Sequence, residues 1–362
     1  MLAGRTRAGG VLAGVAGSLV RAADARLPSL WAARLLSTEA EEATPVGSRE
    51  SRPGPKADDE EVGDSVSFGF SSVDRSEHKG LVKDVFEKVA PKYDAMNDFM
   101  SFFLHRHWKD RFVGTLHPFA GQKHLDVAGG TGDVGFRVLR EIRRAEEALA
   151  VRRNAEVESA GEVCICDING AMLEEGKKKV AGLDIRDAER GLSWVESDAE
   201  NLPFDDESFD TYTISFGIRN VSDIDACLSE ARRVLKRGGH FCCLEFSQVN
   251  NEVLRQVYDL YSMNVIPYIG QAYAGDAHSY QYLVESIRKF PDQVRFPPTV
   301  PRFSPHTHIS LALTRAGLEP WTSGRGRPQE HFKEIIEANG FRGVRYENLL
   351  DGVVAIHSGF KL

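Results

Sequence analysis

Strands alternating with helices, the pattern of an α/β chain with an open, doubly wound sheet, are predicted from about Lys79 to the C terminus. Three observations carry this. A short apolar run with Leu125, Val127 and Ala128 breaks into closely spaced glycines, and the helix-forming stretch Val134 to Ile142 follows, which reads as strand, tight loop and helix. A second apolar run, from Val163, ends in the acid Asp167. Further strand-like runs begin at Trp194, Phe209 and His240, with helical spacing from Ile224 to Leu235.

Taken in order, the first 38 residues set Arg5, Arg7, Arg21, Arg26 and Arg34 among Ala, Gly, Leu and Val, with Asp24 as the lone acid. Such a basic, acid-poor leader is expected to be a mitochondrial presequence. Residues 39–78 are expected to be an acidic, disordered linker, since Glu39 to Asp64 holds nine acids against three bases around Pro53-Gly54-Pro55. From Lys79 the pattern turns helical, with Val82, Val85, Phe86 and Val89 on one face. Pro91 should end that helix, and a second should begin near Asn97.

The glycine corner favours a ligand. Glycine lets the backbone come within contact distance of a bound group, and the free N–H groups that open a helix favour negative charge. Gly130, Gly132 and Gly135 also satisfy G-x-G-x-x-G, which leaves a nicotinamide-dependent oxidoreductase open as an alternative. Arg140 to Ala160 reads as a helix end plus a surface insertion. Asp167, ending its strand, suits bidentate hydrogen bonding to ribose hydroxyls. In the turn Ser197-Asp198-Ala199-Glu200, Asp198 is placed to accept from an adenine amino group and the Ala199 N–H to donate to a ring nitrogen.

Downstream, helices are expected at Val253 to Ile266, Tyr280 to Phe290 and Glu330 to Asn339. Two final strands, Gly343 to Leu349 and Val353 to Gly359, should be joined at Asp351-Gly352. The five cysteines show no C-x-x-C spacing, and those in strand-like runs read as buried small hydrophobes. No histidine cluster has metal-ligand spacing, so no metal is expected. The formal charge of −8 leaves the body acidic once leader and linker are set aside, which gives no electrostatic reason to expect nucleic acid.

The run of motifs resembles the class I S-adenosylmethionine (SAM)-dependent methyltransferases, and among them the ubiquinone and menaquinone biosynthesis C-methyltransferases. The resemblance rests on K-Y-D-A-M-N-D-F-M-S with H-R-H-W-K, L-D-V-A-G-G-T-G-D, D-I-N-G-A-M-L, S-D-A-E-N-L-P-F, T-I-S-F-G-I-R-N-V, R-V-L-K-R-G-G and G-D-A-H-S-Y-Q-Y-L-V-E-S-I. It implies a Rossmann-like, seven-stranded, mostly parallel sheet with the last strand antiparallel, over 79–362. It also implies Thr131, Asp167, Asp198, Ala199 and Ser215 as cofactor residues, with Asp126, Gly130 and Gly132 shaping the loop. Two departures stand out: Arg237 replaces a usual proline, and residues 292–327 form an atypical insertion, expected to be disordered or mis-spliced.

With the leader, the implied activity is SAM-dependent C-methylation of 2-polyprenyl-6-methoxy-1,4-benzoquinol in ubiquinone synthesis, at the matrix face of the inner mitochondrial membrane. A demethylmenaquinol or another prenylated quinol is the alternative acceptor. Peripheral membrane contact, other ubiquinone-synthesis enzymes and a homodimer are the implied partners. A sulfonium methyl is already a strong electrophile, so the enzyme must aim it and stabilise phenolate character on the ring. Arg219 and Asn220, just past the fourth strand, are the catalytic candidates. Tyr93, His107 and Tyr280 are candidates for the substrate pocket.

Overall fold

A computed structural model describes residues 65–157, 160–271, 277–290 and 328–362. All lie in one of the two compact units of the chain, Glu60–Leu362. The expected leader, most of the linker and the insertion at 292–327 fall outside the described residues.

A hairpin opens the described chain, with strands β1 (Ser65–Phe68) and β2 (Ser71–Asp74), and helix α1 (Arg75–Val89) follows. The linker expectation therefore ends too late: residues 65–78 are folded. The Phe68 ring stacks on Tyr282 at 4.3 Å and the Phe70 N–H donates to Glu285, contacts more than 200 residues away in sequence that no local pattern shows. Asp74 caps α1 by accepting from the Ser76 N–H.

Pro91 does end α1, in the first turn of a short 3₁₀ segment, Ala90–Lys92. The next helix, α2 (Tyr93–Ser101), begins four residues before the expected Asn97. Phe102 and Phe103 then take left-handed backbone angles (φ 49° and 63°) and turn the chain into α3 (Leu104–Leu116).

Beyond this the chain alternates: β3 (Lys123–Val127), α4 (Asp133–Arg153), β4 (Glu162–Asp167), α5 (Gly170–Val180), β5 (Leu192–Glu196), β6 (Phe209–Ser215), α6 (Ile224–Val234), β7 (Leu235–Phe246), α7 (Glu252–Asn264), α8 (Ala277–Lys289), α9 (Pro328–Ala338), β8 (Arg342–Leu349) and β9 (Val354–Phe360). Of the helix end plus surface insertion expected at Arg140–Ala160, the helix is the larger part, since α4 runs on to Arg153. Arg143 and Glu146 are buried one turn apart in α4 as an ion pair at 2.9 Å, so charge there did not mean exposure.

The strands form one seven-stranded sheet in the order β5-β4-β3-β6-β7-β9-β8. β9 runs antiparallel to both neighbours and the other pairings are parallel. Side chains alternate across the sheet and both faces are covered. Cys164, Cys166, Tyr212, Ile214 and Cys243 pack with α6 and α9. Val163, Ile165, Cys242 and Leu244 pack with α3 and α4 on the other face. All five cysteines are buried and free, and desolvation pushes the thiols of Cys164, Cys166, Cys227, Cys242 and Cys243 up, as the hydrophobe reading requires.

Candidate active site

Two cavities open where β3, β4 and β6 end, the edge at which doubly wound sheets bind ligands. The loop after β3 separates them. Gly130 and Gly132 hold φ of +55° and +84°, and a Cβ on Gly132 would sit 2.8 Å from Phe136, so this bend needs glycine at both. Beneath it, Asp126 is wholly buried. Its Oδ2 accepts from the Gly135 N–H at 3.0 Å and its Oδ1 from the Thr213 hydroxyl at 2.7 Å. Desolvation pushes this carboxyl up to about 7.

The first cavity is polar at its far end. Asp167 accepts from the Gly130 and Asn169 N–H groups, both at 2.8 Å, and desolvation pushes it up to about 6. Asp198 and Ala199 line the same wall. Lys79 reaches down from α1 to Asp198 (2.5 Å) and Glu200 (2.7 Å), while Lys83 reaches Glu196 (2.9 Å). Helix α1 is thereby tied across the cavity mouth. Asn220 lines this cavity too, and its Oδ1 accepts from the Tyr282 hydroxyl at 3.1 Å.

The second cavity is deeper and mainly apolar, walled by Val89, Met96, Met100, Trp108, Tyr258 and Tyr261. Its charged groups Arg219 and Lys109 are paired. Arg219 donates to Glu245 at 2.9 Å and to the Phe216 carbonyl, and lies 5.5 Å over the Phe246 ring. Lys109 pairs with Asp133 at 2.9 Å; although burial opposes it, Lys109 holds the Asp133 carboxyl well below the usual range. Phe86, Tyr93, Ala128, Gly130, Ser215 and Phe216 line both cavities. At this junction the Ser215 hydroxyl is buried with no hydrogen-bond partner among the described residues.

Eleven of the residues singled out from the sequence thus line one cavity or the other: Asp126, Gly130, Thr131, Asp167, Asp198, Ala199, Ser215, Arg219, Asn220, Tyr93 and Tyr280. Gly132 sits just behind them as the N-cap of α4. His107 is not among them. It is exposed, because two residues of helix turn it about 200° from the inward face, and His105 lines the cavity instead. The inward spacing His105, Trp108, Lys109 and Phe112 was the available signal. Glu245 and Asp94 also escaped notice. Glu245, an acid inside the buried run C-L-E-F, was the more legible; Asp94 accepts from the Thr131 hydroxyl at 2.9 Å and pairs with Lys179, contacts invisible in sequence.

The arrangement can hold an extended ligand: a hydroxyl-rich sugar at Asp167, a hydrogen-bonding base at Asp198 and Ala199, and a cationic arm near Asp126 and Ser215. The unpartnered Ser215 hydroxyl and the glycine bend fit such a guest. The sequence model of the ubiE/COQ5 methyltransferase family matches residues 72–300 and 323–361. The mitochondrial 2-methoxy-6-polyprenyl-1,4-benzoquinol methylase of Homo sapiens is 47% identical over 313 residues, covering 82% of this chain and 84% of its own length. That of Arabidopsis thaliana is 48% identical over 299 residues, covering 82% and 91%. Among solved structures, a SAM-dependent methyltransferase from Thermotoga maritima is 18% identical, with a TM-score of 0.42 over 77% of this chain and 99% of its own.

Proposed function

Because the chain belongs to the ubiE/COQ5 methyltransferase family, we propose that it transfers the methyl group of SAM to a ring carbon of 2-methoxy-6-polyprenyl-1,4-benzoquinol, a step of ubiquinone synthesis in the mitochondrion. One observation carries the reading: a cavity with the carboxylates Asp167 and Asp198 in its wall and a larger cavity with an apolar wall share Gly130, Ser215 and Phe216. Cofactor and ring can therefore meet across a short common boundary, which is what in-line transfer requires.

Bound there, SAM supplies an electrophilic methyl on a sulfonium. Asp167 accepts from the ribose hydroxyls, Asp198 from the adenine amino group, and the Ala199 N–H donates to the base. Ser215, with Thr131 in the loop, holds the amino-acid arm, and Asp126 beneath it fixes the loop. Arg219, its guanidinium fixed by Glu245 and the Phe216 carbonyl, holds the ring oxygen as negative charge grows on it, while Asn220 lines the other cavity and accepts from Tyr282. Tyr93 and Tyr280 pack the ring.

The prenyl tail needs an apolar exit. On α7, Tyr258 and Tyr261 line the deep cavity, while Val253, Val257 and Leu260 are 60–70% exposed on the outer side, near Phe102, which packs on Tyr261. This face rests on the inner membrane and admits the tail. No helix among the described residues is long and apolar enough to cross a membrane. Self-association and contact with other ubiquinone-synthesis enzymes belong to the same proposal.

The deciding experiment is methyl transfer from labelled SAM to a short-chain 2-methoxy-6-prenyl benzoquinol, beside a naphthoquinol, with calorimetric titration of S-adenosylhomocysteine and NADH. Methylation of the benzoquinol at carbon with binding of S-adenosylhomocysteine alone is expected. Turnover of the naphthoquinol instead, or binding of NADH, would overturn the assignment.

A further inference from the structure

We propose that His105, oriented by Asp98, is the base that removes the quinol hydroxyl proton as the neighbouring ring carbon is methylated. This rests on the reading above and names the proton acceptor that it lacks: Arg219 is charged and paired, and Lys109 is committed to Asp133.

His105 is only 8% exposed, sits in the first turn of α3 and lines the deep cavity; among the described histidines no other lines either cavity. Its Nε2 lies 2.9 Å from Asp98 Oδ1. The Asp98 carboxylate also accepts two hydrogen bonds from Arg106, at 2.7 and 2.6 Å, which hold it below the usual carboxylate range. An ionised carboxylate only accepts, so the proton of neutral His105 resides on Nε2 and Nδ1 presents a lone pair. That Nδ1 is buried and has no hydrogen-bond partner among the described residues. Such a buried acceptor calls for a donor, and a quinol hydroxyl is one. The left-handed pair Phe102 and Phe103 delivers the imidazole, and the His105 N–H donates to Ser101 Oγ at 3.3 Å, which pins the turn.

The charged and titratable groups around the ring set its state. Burial and Lys109, one turn along the same helix, lower the His105 pKa, against Asp98 from α2 and Asp133 from α4; Arg106 acts on Asp98 and Tyr93 on Lys109. At neutral pH the imidazole is therefore uncharged and able to accept. The step balances. The hydroxyl proton passes to Nδ1, and the imidazolium is held by Asp98. The ring carbon bonds to the methyl carbon while sulfur keeps the electron pair of the broken S–C bond. The resulting dienone loses its ring proton to water and takes back a proton on oxygen from His105, leaving one proton in solution.

His105→Gln and Asp98→Asn, in the full-length protein, test this with the short-chain benzoquinol. We expect His105→Gln to lower kcat by about 10²–10⁴ and to abolish the acid limb of the kcat profile. The KM for quinol and the affinity for S-adenosylhomocysteine should stay within about threefold of wild type. Asp98→Asn should lower kcat and move that limb to lower pH, because the imidazolium loses its counter-charge. A His105→Gln protein that binds S-adenosylhomocysteine normally and keeps kcat within about threefold, or keeps the acid limb, overturns the proposal. Should that variant fail to fold, the ring nitrogen shifts of ¹⁵N-histidine in the wild type decide: Nδ1 bare and Nε2 protonated supports it, and the reverse tautomer refutes it. If the wild type itself leaves the benzoquinol unmethylated, the functional reading falls first.

Discussion

At the scale of single residues, burial has made two carboxylates of this site, Asp126 and Asp167, reluctant to ionise. Asp167 is the one with a ligand proposed on it: desolvation raises its pKa from 3.8 to about 6 while two N–H donors oppose the rise. On the proposed role of Asp167, ribose hydroxyls need the ionised form, and the sign follows: below about 6 the protonated fraction grows and ligand affinity should fall. Calorimetry should show S-adenosylhomocysteine weakening by up to about tenfold per pH unit under that value, with a flatter and weaker profile in Asp167→Asn. A pH-independent affinity in the wild type would separate Asp167 from the ribose. Asp167 was legible in the sequence because a strand end and a glycine bend are local features. Glu245 was not recognised, although it fixes Arg219 across two adjacent strands through an ion pair with both side chains nearly fully buried. Removing one partner from such a pair is far costlier than its surface equivalent.

At the scale of elements, the sheet and its helices could be read from periodicity because each segment carries its own apolar face. The elements that cover the site were harder. The α1 periodicity announced a helix, yet nothing local announced that Lys79 and Lys83, one turn apart, tie it to Asp198, Glu200 and Glu196. These pairs are about one-third exposed or more on the lysine side, so each is worth only about 0.2–1 kcal/mol. They suffice to hold a cover that must also open. The double variant Lys79→Met, Lys83→Met should raise amide exchange across Arg75–Val89 and speed S-adenosylhomocysteine release about three- to tenfold, by the same magnitudes. Unchanged exchange and release would mean that the apolar face of α1, with Val82 and Val85 buried, holds the cover alone.

At the scale of the whole molecule, an apolar cavity opens beside an apolar outer face on α7, and a membrane-borne substrate makes sense of both. Full-length protein should sediment with liposomes of mitochondrial lipid composition, and Val253→Glu with Leu260→Glu should cut that binding at least tenfold while a water-soluble short-chain quinol is still methylated. Equal sedimentation of the variant would place the lipid contact elsewhere. By itself the sequence determined the sheet, the glycine bend, the carboxylates at strand ends and the family, because those are contiguous stretches whose backbone geometry follows from neighbouring residues. Tertiary structure alone decided that the hairpin before α1 is folded and that Arg219 meets Glu245, whereas the choice of His105 over His107 was already signalled by the inward spacing along α3. Those two outcomes depend on contacts between segments far apart in the chain, which no one stretch encodes.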